Sequence, residues 1–246
     1  MAGRTYKTEA IVLRSLRFSE ADRILHLYTR DRGRIGAIAK GVRKTKSRFG
    51  ARLEPLSHVE LVLHEGSGEL QTVTGVSLLA SHHTTRENPY RLRAGLIGAE
   101  AMLRLFGEPE ANARAFEALA RFLDVLDETE PAGERPELDP LALSFQLKLL
   151  WLSGYLPHVT ACVECGTYER LVGFSARSGG AVCIEHARGS FTLSPDGLAG
   201  IEQLLSTPLA GAAAAGLGDR ARREALRVVT SSYEEHGGFQ LRSITA

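Results

Sequence analysis

The sequence predicts an α+β chain: a small β-barrel comes first, then a helical bundle interrupted by a cysteine-rich insert. Three observations carry this. Five short segments rich in Val, Ile, Leu and Thr lie within residues 6–80, apolar residues recur at helical spacing from residue 88 onward, and all three cysteines fall between positions 162 and 183. At 246 residues, 43% hydrophobic and 24% charged, the chain has ordinary globular composition and length for one or two domains plus an insert.

The extended segments are residues 8–15 (TEAIVLRS), 22–29 (DRILHLYT), 34–40 (RIGAIAK), 57–64 (SHVELVLH) and 71–79 (QTVTGVSLL). RDRG at 30–33 and HEGSGEL at 64–70 supply the glycines that tight hairpin turns need. Five short strands in one compact stretch close more readily into a barrel than a sandwich, and the five-stranded barrel that binds oligonucleotides, the OB-fold, fits best.

Charge gives this region a direction. Residues 1–53 hold fourteen Lys and Arg against four Asp and Glu, a local charge of +10 in a chain whose net charge is +1. The densest run, KGVRKTKSRFGAR at 40–52, has no acidic residue. Such a run is a solvated face unless a polyanion meets it; its place between the third and fourth strands of an oligonucleotide-binding barrel favours phosphate. Arg34, Lys40, Arg43, Lys44, Lys46, Arg48 and Arg52 are the candidate DNA-binding residues. Tyr28 and Phe49 could stack on bases, but packing is the stronger expectation for both. With aromatics sparse, affinity should be largely electrostatic; about six engaged phosphates would give a slope of roughly −4 in log K against log salt for single strands.

Asn88-Pro89 opens a helix to about Phe106, and residues 111–126 repeat the pattern with Phe116, Leu119, Phe122, Leu123 and Leu126. After a polar, Pro-containing loop at 128–140, LALSFQLKLLWLSGYL is apolar almost all round, which marks a helix buried in the bundle. Trp151 is expected to be a core anchor, and the helix to stop at Leu156-Pro157.

Cys162-Val-Glu-Cys165 and Cys183-Ile-Glu-His186 form a C-x2-C, C-x2-H pair. Two such knuckles set four soft or borderline ligands around one tetrahedral zinc, with Gly166, Gly173, Gly179 and Gly180 allowing the turns of a zinc ribbon. A deaminase-like catalytic zinc is the rival reading, but it requires an H-x-E element before its C-x-x-C and an open coordination position. The closed set points to a structural Zn2+, with Glu164 and Glu185 facing solvent. Ser194-Pro195 opens a further helix, and Asp219 is expected to cap the last one, whose Arg220, Arg222, Arg223 and Arg227 turn outward. No nucleophile or paired-carboxylate set with supporting context is present, so no enzymatic activity is expected. With no signal-peptide pattern and no long apolar run, a cytoplasmic, nucleoid-associated protein is expected.

The segments TEAIVLRS and SEADRILHLYTRDRGRIGAIAKGVRKTKSRFGARLEPLSHVEL, followed by LSGYLPHVTACVECG, resemble the RecO family of recombination mediators in the bacterial RecF pathway. The likeness is strongest at 8–63 and 153–186. It implies an N-terminal five-stranded OB-fold barrel (residues 1–82) and an α-helical bundle domain (83–157 and 191–246) with an inserted zinc ribbon (158–190). It also implies binding of single- and double-stranded DNA, annealing of complementary strands, binding of RecR, and help in replacing single-strand-binding protein with RecA. The family's site is usually four cysteines, whereas His186 holds the fourth position here. An RNA-binding or ribosome-associated protein, and a zinc-dependent hydrolase or deaminase, are the alternatives.

Overall fold

Alternation sets most of the first sheet: along its strands alternate side chains are apolar and turn inward. In a computed structural model, which describes residues 4–44, 47, 49–66 and 68–245, β1 (Arg4–Arg17), β2 (Arg23–Thr29), β3 (Gly33–Ala39), β4 (His58–Glu65) and β5 (Gln71–Ala80) close into a barrel of order β1-β2-β3-β5-β4. All neighbours are antiparallel except β3 and β5, which meet in parallel at Ala37↔Gln71 and Ile38↔Thr72. The interior holds Ala10, Val12, Leu25, Leu27, Ile35, Ala37, Val59, Leu61, Leu63 and Val73, and it is plugged by Phe49 and Leu53 from the β3–β4 connection.

β1 carries a register shift between Val12 and Arg14 and is buried on both faces at residues 10–13. Its second face is covered from the helical side. Here α1 (His83–Glu87), α2 (Pro89–Leu105) and α3 (Ala113–Glu128) follow the barrel in the same compact unit, Met1–Asp127. Asn88 caps α2, accepting from the N–H groups of Tyr90 and Arg91. Tyr28 lies edge-on to Phe106 with ring centroids 5.7 Å apart, and burial pushes its phenol up to about 12. Buried His82 bridges the Leu56 carbonyl at 2.7 Å and the Asp124 carboxylate at 3.1 Å.

The second unit, Glu128–Ala246, is built on α4 (Pro140–Leu152), which packs against α5 (Pro195–Ser206), α6 (Leu209–Ala212) and α7 (Asp219–Gly237); α8 (Arg242–Thr245) follows. The Tyr233 hydroxyl donates to Gln146 Oε1 at 2.5 Å in this core. The Lys148 ammonium donates to the carbonyls of Leu204 and Leu205, 3.0 and 2.8 Å away, at the negative end of α5. The Glu224 carboxylate accepts from the backbone N–H and hydroxyl of Ser194, the α5 cap.

Three expectations are corrected here. Trp151 is not a core anchor: it is 52% exposed and lines a cavity of about 450 Å³ with Leu156, Pro157, His158, Val159 and Leu205. The helix ends at Leu152, four residues before Leu156, because the chain turns through Gly154 at φ +88°. The helix expected to be capped by Asp219, α7, is capped by Gly218, with Asp219 as its first residue.

Candidate nucleic-acid interface and metal centre

The β3–β4 connection is two-faced. Phe49 enters the barrel core, Val42 packs against it, and Lys40, Arg43, Lys44 and Arg52 are exposed. Its first residues are tied to the β1–β2 turn: Asp22 Oδ1 accepts from the Gly41 N–H at 2.8 Å, and the Arg43 N–H donates to the Ala21 carbonyl at 3.0 Å. The Arg43 guanidinium also donates to the carbonyls of Ser19 and Glu20, at 3.2 and 2.8 Å. Arg52 reaches the Val76 carbonyl on β5. Lys46 and Arg48 lie outside the described residues.

Several of the fourteen N-terminal cations are committed elsewhere. Arg34 donates to the Leu103 carbonyl and pairs with Glu108 at 3.2 Å, so the structure separates it from the loop cations and makes it a clasp between β3 and the end of α2. Lys7, Arg23, Arg30 and Arg32 pair with Glu60, Glu54, Glu9 and Glu65. Exposed Arg14 and Arg17 extend the basic set along β1, which the linear charge run did not single out. The stacking candidates Tyr28 and Phe49 are 0% and 2% exposed and belong to packing. In the last helix, Arg220 and Arg223 pair with Glu224 and Asp219, Arg222 donates to the Leu217 and Ala132 carbonyls, and Arg227 lies over the Phe191 ring. Arg222 and Arg227 are tied into the fold, whereas Arg220 and Arg223 are exposed cations with an acidic neighbour on the same helix.

The second site is the cysteine-rich insert. β6 (Leu171–Ser175), β7 (Gly180–Cys183) and β8 (Phe191–Thr192) form a sheet of order β7-β6-β8. The first knuckle turns because the Gly166 N–H donates to the Cys162 carbonyl at 2.8 Å with Gly166 at φ +75°. The second is a single 3-10 turn, Ile184–His186, that follows Cys183 and swings His186 back. The ligand atoms of Cys162, Cys165, Cys183 and His186 all lie within 4.8 Å of one another. Tetrahedral zinc bonds of about 2.3 Å to sulfur and about 2.0 Å to nitrogen imply S···S edges near ~3.8 Å and S···N edges near ~3.5 Å. The observed separations are 3.9 Å for Cys165 Sγ to Cys183 Sγ, 3.7 Å for Cys162 Sγ to His186 Nδ1 and 3.3 Å for Cys183 Sγ to His186 Nδ1.

The protonation chemistry fits a ligand set. Desolvation raises the Cys162 thiol, but N–H groups of Cys183, Cys165 and Glu164 outweigh it and bring it down to about 6. His186 pulls the Cys183 thiol down, and Cys183 in turn lifts the imidazole. The Thr167 N–H lowers Cys165, yet desolvation and the neighbouring sulfurs leave it raised. Thiolate and imidazole gathered in this way can hold a metal ion, which replaces the protons they share. Glu164 and Glu185 are exposed, bonded to Ser178 and paired with Arg170 respectively.

Two family models cover nearly the whole chain. The one described as Recombination protein O N terminal matches residues 1–82, and the one described as Recombination protein O C terminal matches residues 86–244. The chain belongs to the RecO family. A relative in Rubrobacter xylanophilus, named DNA repair protein RecO, is 39% identical over 234 residues, covering 93% of this chain and 90% of the relative. Membership in RecO assigns the chain to DNA repair as a recombination mediator and agrees with its OB-fold barrel and helical second part. Among the described residues, no helix is long and apolar enough to cross a membrane.

Proposed function

We propose that this chain binds single- and double-stranded DNA through the basic edge of its barrel, anneals complementary strands and, with RecR, helps load RecA onto DNA coated with single-strand-binding protein. The observation that carries the reading is RecO membership over residues 1–82 and 86–244 together with exposed Lys40, Arg43, Lys44 and Arg52 on one connection of an OB-fold barrel. Lys46 and Arg48 belong to the same segment and complete the proposed phosphate-binding set. The chain acts by binding, without turnover: two strands repel each other, and a surface that neutralises both lowers that repulsion while releasing counterions. The acidic remainder of the sequence keeps DNA on one side, and the helical bundle is left for protein partners. One structural Zn2+ sits on Cys162, Cys165, Cys183 and His186, and the protein works in the cytoplasm at the nucleoid.

The test is annealing of two complementary labelled oligonucleotides, one coated with single-strand-binding protein, over a salt series. Acceleration that fades steeply with salt is expected, and it should vanish in a folded Lys44→Glu, Lys46→Glu, Arg48→Glu triple variant. Unchanged DNA affinity in that variant would discard the basic loop as the interface. Binding without annealing, with preference for structured RNA, would move the chain to the RNA-binding alternative.

A further inference from the structure

The barrel's outer face over β1, β2 and β3 has an order that register makes explicit. Arg14 stands opposite His26, and His26 opposite Gly36; in the next row Leu16 stands opposite Ile24, and Ile24 opposite Ile38. Leu16, Ile24 and Ile38 are half-buried and Arg14 is exposed. Two residues further along each strand direction come Phe18 just after β1 and Lys40 just after β3. Phe18 opens the β1–β2 turn, its N–H donating to the Asp22 carbonyl at 3.2 Å, and its side chain is 59% exposed. The lower end of the same face is closed, with Tyr28 packed on Phe106 and Arg34 held by Glu108 and the Leu103 carbonyl.

A single exposed apolar side chain is ordinary on a protein surface. The setting of this one is not. The turn that carries it is fixed to the basic loop by the bonds from Gly41 and Arg43, so Phe18 belongs to the same turn-and-loop unit as exposed Arg43 and Lys44. An aromatic ring, an aliphatic strip and a flanking row of cations is the surface on which unpaired bases stack while their phosphates follow the charges. In OB-folds the second and third strands and the β1–β2 loop are where oligonucleotides lie.

We infer that Phe18 is a base-stacking residue specific for single strands, with the strand passing from Phe18 across Leu16, Ile24 and Ile38. The inference rests on the DNA-binding reading above and adds discrimination to it. Duplex DNA keeps its base faces inside the stack, so Phe18 has nothing to meet there, and both forms share only the cations.

The experiment measures affinity of the full chain for oligothymidine and for a duplex of equal length by fluorescence anisotropy, with Phe18→Ala, Phe18→Leu and Phe18→Tyr. Stacking of one base predicts that Phe18→Ala and Phe18→Leu weaken single-strand binding roughly tenfold and leave the duplex unchanged, while Phe18→Tyr retains it. A 2-aminopurine oligonucleotide should be quenched by the unaltered chain and not by Phe18→Ala. Single-strand affinity unchanged in Phe18→Ala, or equal losses for both DNA forms, would overturn the assignment. Equal function in Phe18→Leu would also overturn it, since that outcome assigns the residue to simple apolar contact. If the unaltered chain binds neither DNA form, the DNA-binding reading itself falls; binding that depends on Lys44 but not on Phe18 removes only the stacking role.

Discussion

Among the described residues, thirteen buried side chains fill the barrel, from Ala10 to Val73, whereas the buried cluster of the ribbon is Cys162, Val182 and Cys183, with Val163 and Leu171 packed against it. Both are small sheets of short strands. The barrel gathers apolar side chains from five strands that close on themselves, and burial of that area stabilises it. The ribbon has three strands, one of them only two residues long, and two of the three residues in that cluster are candidate metal ligands. The difference teaches where each region's stability can come from: many apolar contacts in one, and in the other a smaller core that a metal held by four ligand atoms would reinforce.

The largest effect that separates them is metal loss. A structural site of this type carries about 10 kcal/mol or more of local folding free energy. Chelation, or Cys183→Ser, should release amide protection across residues 162–192 in hydrogen exchange and leave β1–β5 protected; equal loss in both regions would end the contrast. The barrel's own weak point is its plug. Phe49→Ala should cost about 3–5 kcal/mol in denaturant unfolding while the ribbon's metal content stays stoichiometric. Next comes Arg34→Ala, which removes a charge-assisted bond to the Leu103 carbonyl and the pair with Glu108 and should cost about 1–2 kcal/mol without reducing DNA affinity. A DNA defect in a folded Arg34→Ala protein would return that residue to the interface.

The smallest effect is a pH dependence confined to the barrel. Burial, with Arg14 and Arg34 beside it and Glu108 opposing them, holds the His26 imidazole below its ordinary 6.5. The unfolded chain therefore binds this proton first. The stability involved is complete above that value and is lost as pH falls from it toward the folded value. His26→Gln should flatten the acid side of the stability curve, read from denaturant midpoints over a pH series; an identical curve would remove His26 from it.

Much of this was legible in order along the chain. Strand alternation and the glycines of RDRG and HEGSGEL mark the hairpins, because those signals act within a few residues. The paired C-x2 spacings mark the metal centre for the same reason. What sequence could not show is where a side chain turns once distant segments meet. Arg34 is read as a phosphate ligand from its neighbours in sequence, but its partners are Leu103 and Glu108. Trp151 sits in an apolar run that has no polar side to reveal which turn leaves the bundle, and Gly154 ends the helix early. Phe18 carries no local signal at all; only the register of three strands, which aligns Leu16, Ile24 and Ile38 just before the turn that holds it, shows the strip it adjoins.

The barrel closes on a parallel seam of two residue pairs, Ala37↔Gln71 and Ile38↔Thr72, against seven or eight pairs on each of the other ladders. A ring parts at its shortest joint. Thermal opening should begin there, peeling β3 from β5 and turning the ring into a strip with two edges, one of them the strand that leads into the basic loop. The same strand thus ends one face of the molecule and guards its closure, so whatever grips the loop from outside also pulls on the latch.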